Sequence, residues 1–413
     1  FTIDLKPHRV NAIWKVIKQG NALFNHAVGS GKAQPLDAKV LTPDGWKRMG
    51  DIRVGDQVIA GDGSATTVLG VYPQGVKPIY RIRFSDGAVT ECCDEHLWVT
   101  QTRRERGRMR DARSDGRPNT VGGMPKVRPL SEIRTTLDDM HFVPTTGAVQ
   151  HPKVELPLDP YTLGALIGDA SFRQFSVQFG TKDAEILDQF LFPDGAQIKG
   201  RVIEGRCPIY WITYGGRRPN PLNQILRDMG LWWLDSRAKF IPERYKFAHA
   251  DDRLGLLQGL MDTDGGITGR SCRFTSYSKT LADDVAALAR SLGGVASVAL
   301  REAADGSLSK YVANITLPAG VVPFRLSRKV AAYRALHDAK KTIREPLRAI
   351  VAVDLIGHKE AQCIAIEHPT KLYVTDDYVV THNTWTSIMA SMEMKRLGMI
   401  QRPLFCVPNH MLN

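Results

Sequence analysis

The chain has 413 residues, 43% apolar and 24% charged, with a formal net charge of +12 at pH 7 and a pI near 9.4. This composition fits a globular protein of two or three domains leaning toward a polyanionic partner, and it excludes a disordered or collagen-like chain. The six cysteines, at 92, 93, 207, 272, 363 and 406, form no CxxC pair; no apolar run reaches membrane-spanning length and no secretory pattern opens the chain. Neither a disulfide framework, a zinc site nor a membrane is expected, and a reducing cytoplasm of a microbial or phage host is. The first residue, Phe1, is not Met, which reads as an excised fragment.

In chain order, residues 1–32 predict a helix, "LKPHRVNAIWKVIKQG", a short strand, "ALFNHAV", and then "GSGK", which is Gly29 to Lys32. Those four residues are the core of a phosphate loop. Its N–H groups wrap the phosphates, its lysine reaches their outer oxygens, and a Ser or Thr in the next position ligates Mg2+. Here the next residue is Ala33, which ligates nothing. From 33 to about 100, Asp44-Gly45, Asp62-Gly63 and Asp86-Gly87 separate short apolar runs, which is the turn chemistry of β-hairpins. Residues 102–125, with seven arginines between 103 and 117, read as a mobile loop.

From about 157 the pattern becomes α/β, with helices expected at 160–169, 182–191, 221–230, 251–264 and 279–292. Short strands return from about 348, and after 383 comes an amphipathic helix, "TWTSIMASMEMKRLG", followed by the strand "PLFCVP". Joining Lys32 to Thr384 gives "HAVGSGK" followed by "TWTSIMASM". Thr384 then supplies the missing hydroxyl, and the helix that should follow a phosphate loop appears. Gly29, Gly31, Lys32 and Thr384 would bind ATP with Mg2+ in the joined host.

The segment Ala33–Asn383 resembles an intein along its whole length. "PLDAKVLTPDGWKRMGDIRVGDQVIAGDG" is similar to the first intein block, "GAVTECCDEHLW" to the second, centred on His96, and "AQCIAIEHPTKLYVTDDYVVTHN" to the last two. Ala33 departs from the usual Cys or Ser at the first position. Trp98, Cys363 and Thr384 match the three marks of class 3 inteins. The resemblance implies that Cys363 attacks the Lys32–Ala33 bond, that Thr384 takes the acyl group, and that Asn383 cyclises to free Thr384. A normal Lys32–Thr384 peptide then forms. His96 is expected to polarise the scissile carbonyl or protonate the departing amine, His382 to polarise the Asn383 carbonyl, and Trp98 to shape the pocket around Cys363. Splicing would run in cis in a monomer without cofactor. Two departures stand out: Cys93 occupies the place of a usual Thr, and a further usual His has no clear counterpart, with Lys371 and His368 nearby.

"LGALIGDAS" (163–171) and "LQGLMDTDGG" (257–266) resemble the paired LAGLIDADG motifs of homing endonucleases, with Ala170 in place of a usual Gly. Gly164 and Gly259 would let two helices approach closely. Asp169 and Asp264 would hold Mg2+ at a shared site, Lys239 would be a functional lysine, and basic surface would bind double-stranded DNA. The arginines at 103–117 could assist that binding.

The fold class implied is multi-domain: an all-β Hint (horseshoe) splicing domain interrupted by an α/β LAGLIDADG endonuclease domain. The expected division is 1–32 host segment, 33–150 splicing domain, 157–340 endonuclease-like domain, 345–383 the rest of the splicing domain, and 384–413 host segment. The joined host segments resemble a Swi/Snf-type superfamily-2 helicase. Two other readings are a site-specific endonuclease with an inactive splicing half, and a P-loop ATPase with a silent insertion.

Overall fold

The computed structural model describes residues 32–114, 123–202, 204–215, 220–269, 271–302, 308–338 and 346–382. Gly29, Gly31, Asn383, Thr384 and the host-segment helices and strands expected on the two flanks lie outside the described residues.

Two strands of 20 residues, Ala65–Phe84 and Leu347–Ile366, organise the first region. They run antiparallel from Ile350 opposite Phe84 to Ile366 opposite Val68, with four register irregularities. Such bulges bend and twist a ribbon, so one strand pair serves two cores. Its outer parts bury Val68, Ile364 and Ile366 in one cluster and Ile82, Phe84 and Ile350 in another, while Pro73–Lys77 between them is largely solvent-facing. Gly87, at φ 78°, turns the first long strand into Val89–Cys93, and Asp86 Oδ1 accepts from Ala88 N at 3.2 Å within that turn. These strands belong to a twelve-stranded sheet that also takes in Gln34–Pro35, Leu97–Thr102 and Val379–His382.

The arginine-rich stretch is not a loop at its start: Arg103–Ser114 is an α-helix. Thr102 and Glu105 form a reciprocal capping box. The Glu105 N–H donates to Thr102 Oγ1 at 3.2 Å, and the Thr102 N–H donates to Glu105 Oε2 at 2.8 Å. Glu105 also pairs with Arg128 at 2.6 Å and Lys126 at 3.0 Å, which fastens the helix start to the sheet. The arginines masked the Thr-x-x-Glu signal.

Between Pro144 and Leu347 the chain makes two copies of one unit, each a helix leading into a four-stranded antiparallel sheet. The helices are Pro160–Asp169 and Ala250–Thr263, and in both sheets the fourth strand in sequence lies between the second and the third. Asp159 caps the first helix through Thr162 N at 2.9 Å, and Pro160 opens it. A Cβ on Gly164 would lie 2.2 Å from the Leu256 carbonyl oxygen, and one on Gly259 would lie 2.1 Å from that of Tyr161. Only glycine permits this backbone approach. The helix expected at 182–191 shrinks to Glu185–Asp188.

The two regions share a buried ionic junction. Arg348, 1% exposed, pairs with Asp86 Oδ2 at 2.9 Å and donates to the Tyr378 carbonyl at 2.6 Å. Arg290, from the Lys279–Ser291 helix of the inserted region, reaches the same Asp86 carboxylate at 3.5 Å.

Candidate functional site

The first site is made by strand register. Gln34 lies opposite Gln362 and Pro35 opposite Ala361. The strand that follows Ala33 therefore runs beside the one that carries Cys363, and Lys32 and Cys93 both act electrostatically on the Cys363 thiol. Gln34, fully buried, locks the register: its amide donates to Thr375 Oγ1 at 3.0 Å, and its carbonyl accepts from the Tyr373 hydroxyl at 2.7 Å.

The Val89–Cys93 strand grips the same junction. The Cys93 N–H donates to the Ala33 carbonyl at 2.9 Å, and the Ala33 N–H donates to Cys93 Sγ at 3.2 Å. Ala33 and Cys93 sit in one small apolar cluster with Ile79 and Ala361. At the other junction, His382 pairs with Leu97, next in sequence to His96. His96, 2% exposed, bonds Thr381 Oγ1 through Nε2, and its Nδ1 has no partner among the described residues.

Burial drives Cys363, His96 and His382 toward their neutral forms. The Cys363 thiol is pushed up to about 12 by burial; Lys32 and Lys77 pull it down and Cys93 adds to the rise. His96 is lowered to about 3 by burial, then by His382 and Lys32. His382 is lowered to about 4 by burial and by Lys32. Lys32, 3% exposed, is thus a cation that acts on the nucleophile and both histidines.

The Trp98 ring, expected to shape the pocket around Cys363, packs on His96 with centroids 5.6 Å apart and on Phe84 at 6.0 Å, in a cluster with Cys92, Leu130 and Val379. Residues two apart on a strand share a face, so the indole braces His96. Neither candidate for the missing histidine enters the centre: His368 Nε2 bonds Asp62 at 3.0 Å in a surface turn, and Lys371 Nζ caps the Ile366 and Glu367 carbonyls at 3.0 Å each.

The second site is made by helix packing. The close helices deliver Asp169 and Asp264 to a common point at their C-terminal ends. Asp264 is raised to about 6 by burial and then by Asp169; Asp169 is raised by burial. Lys239, 7% exposed, donates to the Gly168 and Ala170 carbonyls at 2.9 Å each and is lowered to about 8 by burial, against the pull of both aspartates. Sequence reasoning missed its counterpart. Lys329, 8% exposed, donates to the Met261, Asp262 and Gly265 carbonyls at 2.8, 2.7 and 2.7 Å. Ser236-Arg237 before Lys239 and Ser327-Arg328 before Lys329 are the signal that would have found it. Each lysine satisfies carbonyls left open at a helix end, where a cation is favoured.

Among the described residues, no group of three or more His, Cys, Asp or Glu is arranged to hold a metal ion. The two aspartates fit a divalent cation in another way. The charge of Asp169 raises Asp264, a cost a bound cation relieves, and Asp169 is exposed where further oxygen ligands would come from substrate and water.

Residues 251–316 match the family described as "LAGLIDADG-like domain". A curated relative, replicative DNA helicase DnaB of Mycobacterium intracellulare, is 29% identical over 407 residues, covering 91% of this chain. The chain spans 65% of that relative's length. Among solved structures, a form of the MchDnaB-1 intein is 11% identical, covering 85% of this chain and all of that one at a TM-score of 0.25. I-DmoI in complex with DNA and Ca is 16% identical, covering 43% of this chain and 97% of that one at a TM-score of 0.32. Among the described residues, no helix is long and apolar enough to cross a membrane. The chain is multi-domain: an all-β region interrupted by an α/β region, whose residues 251–316 match the LAGLIDADG-like family.

Proposed function

We propose that residues 33–383 excise themselves and join Lys32 to Thr384, by the class 3 route. The observation that supports this is the pairing of Gln34 with Gln362, which runs the strand after Ala33, a residue with no side-chain nucleophile, beside the strand of Cys363. Cys363 sulfur attacks the Lys32 carbonyl carbon and the Lys32–Ala33 bond breaks, leaving a branched thioester. The acyl group passes to the Thr384 hydroxyl. The Asn383 side-chain amide then attacks its own carbonyl, with neutral His382 beside it, and frees Thr384. The resulting ester rearranges to a peptide. No cofactor enters these steps.

Mass analysis of the full expressed chain tests the reading. It predicts free residues 33–383 and a product of 1–32 joined to 384–413, and no cleavage at Lys32–Ala33 in Cys363→Ala. Ligated product from Cys363→Ala would overturn it.

The inserted domain is read as a DNA-cleaving homing endonuclease, because two carboxylates meet at the ends of tightly packed helices. Asp169 and Asp264 would hold Mg2+, which activates water and stabilises the leaving oxygen. Lys239 and Lys329 fix the helix ends that carry the aspartates. Exposed Lys199, Arg201, Arg301 and Lys310 on the two sheets supply positive charge for double-stranded DNA. Duplex DNA encoding the uninterrupted host junction is the substrate to test, and cleavage that persists in Asp264→Asn would sink the reading.

For the flanks we read the two halves of a helicase phosphate loop that binds ATP–Mg2+ through Gly29, Gly31, Lys32 and Thr384 once joined. The curated relative described above is a replicative helicase, which lends no support to the Swi/Snf-type host. The precursor splices in cis as a monomer in a cytoplasm.

A further inference from the structure

We propose that Cys93 is the general acid of the first splicing step, giving its thiol proton to the Ala33 nitrogen as the Lys32–Ala33 bond breaks. The inference rests on Cys363 being the attacking nucleophile.

Position comes first. Cys93 Sγ lies 3.2 Å from the nitrogen that becomes the leaving amine, and the bond from Cys93 N to the Ala33 carbonyl fixes the orientation. In the intact amide the nitrogen lone pair is delocalised, so its N–H donates to sulfur. Attack on the carbonyl makes the nitrogen pyramidal and basic. The same contact can then reverse, with sulfur the donor, and neither heavy atom has to travel.

Chemistry comes second. An ordinary thiol titrates near about 8.5, within reach of an α-amino group near about 7.7–8.0; Cys93 lies above the ordinary value, so its proton leaves only as the nitrogen turns basic. The threonine usual at this place in the resembling blocks is far too weak an acid to surrender its proton. Burial raises the Cys93 thiol and keeps it protonated beforehand, while the Ala33 and Glu95 N–H groups and Lys77 ease the charge once the proton has gone. His96 is ill suited to the task, since it is held neutral and its Nε2 is engaged with Thr381. Cys92 is excluded by strand alternation and lies in the Trp98 cluster.

The step balances. The Cys363 sulfur–carbon bond forms, and the carbon–nitrogen pair stays with nitrogen, which takes the Cys93 proton. The proton lost by Cys363 replaces it on Cys93. Two thiols and an amide become one thioester, one thiol and a primary amine.

The experiment uses the full chain, refolded from denaturant between pH 6 and 11.5, with thiol-induced cleavage at Lys32–Ala33 reporting thioester formation. In the wild type the rate rises with pH as Cys363 ionises and falls at the alkaline end as Cys93 does. Cys93→Ser and Cys93→Thr are each expected to slow the step about 100-fold and to abolish the alkaline fall. Release of residues 384–413 by Asn383 cyclisation, which does not use this nitrogen, is expected to persist. A rate within threefold of wild type in either variant overturns the proposal. So does a slower rate with the alkaline fall intact, since Cys93 would then only position Ala33. Failure of the underlying reading shows separately, as thioester formation in Cys363→Ala.

Discussion

The proposed splicing centre and the two-aspartate site both gather residues far apart in sequence, but they differ in access to solvent. At the first, strand pairing buries Cys363, His96 and His382 and drives each toward its neutral form. At the second, burial also pulls Asp264, Lys239 and Lys329 toward their neutral forms, yet Asp169 beside them is exposed. A water-poor centre suits the acyl transfer proposed here, where free water would hydrolyse a thioester. A half-open centre in which carboxylates and lysines meet suits a divalent cation and a polyanion. Under the proposed function, the contrast would let one chain separate a single-turnover reaction on itself from a reaction on an outside substrate.

The largest expected effect breaks one site alone. Asp264→Asn should lower DNA cleavage by about 1,000-fold or more, given the several kcal/mol a metal site supplies, while splicing proceeds; a nicking assay beside a splicing gel checks both. Breaking the junction should harm both sites at once. Asp86→Asn leaves Arg348 buried without its carboxylate and removes a partner of Arg290, at a cost of about 3–5 kcal/mol by denaturant titration. Gly259→Ala, by forcing a Cβ onto the Tyr161 carbonyl, should cost about 1–3 kcal/mol and confine its damage to the inserted domain. Hydrogen exchange resolves where the loss falls.

The smallest effect concerns pH. Asp264 is raised from 3.8 to about 6, so the folded state holds its proton more tightly than the unfolded chain. Its contribution to stability is full below about pH 3.8 and is lost as pH rises through about 6. Asp264→Asn should therefore raise the melting temperature at pH 7 by roughly 2–4 °C and leave it unchanged near pH 4. Calorimetry at the two pH values measures the difference.

Much of this architecture is legible in residues. "GSGK" followed by Ala33, with Thr384 far downstream, marks the insertion, and Gly164 and Gly259 announce the helix contact through their lack of a side chain. Other features depend on three dimensions. The place of Trp98 against Phe84 follows from which strands meet in the folded sheet, and no spacing in the sequence reports that. The grip of Cys93 on both polar groups of Ala33 needs the Val89–Cys93 strand beside the junction. Lys329 was hidden because its Ser-Arg signal is displaced by one residue from that of Lys239, and the Arg103–Ser114 helix because its arginines obscured the cap at Thr102.

The pairing of Gln34–Pro35 with Ala361–Gln362 has a further consequence. Side chains on a strand alternate faces, so alignment at the junction comes in whole-residue steps. Deleting or adding one residue between Ala33 and Asp37 would turn the junction to the opposite face of the sheet instead of loosening it by degrees. The reaction is thus indexed like a ratchet tooth, and sequence drift at this seam has one acceptable length.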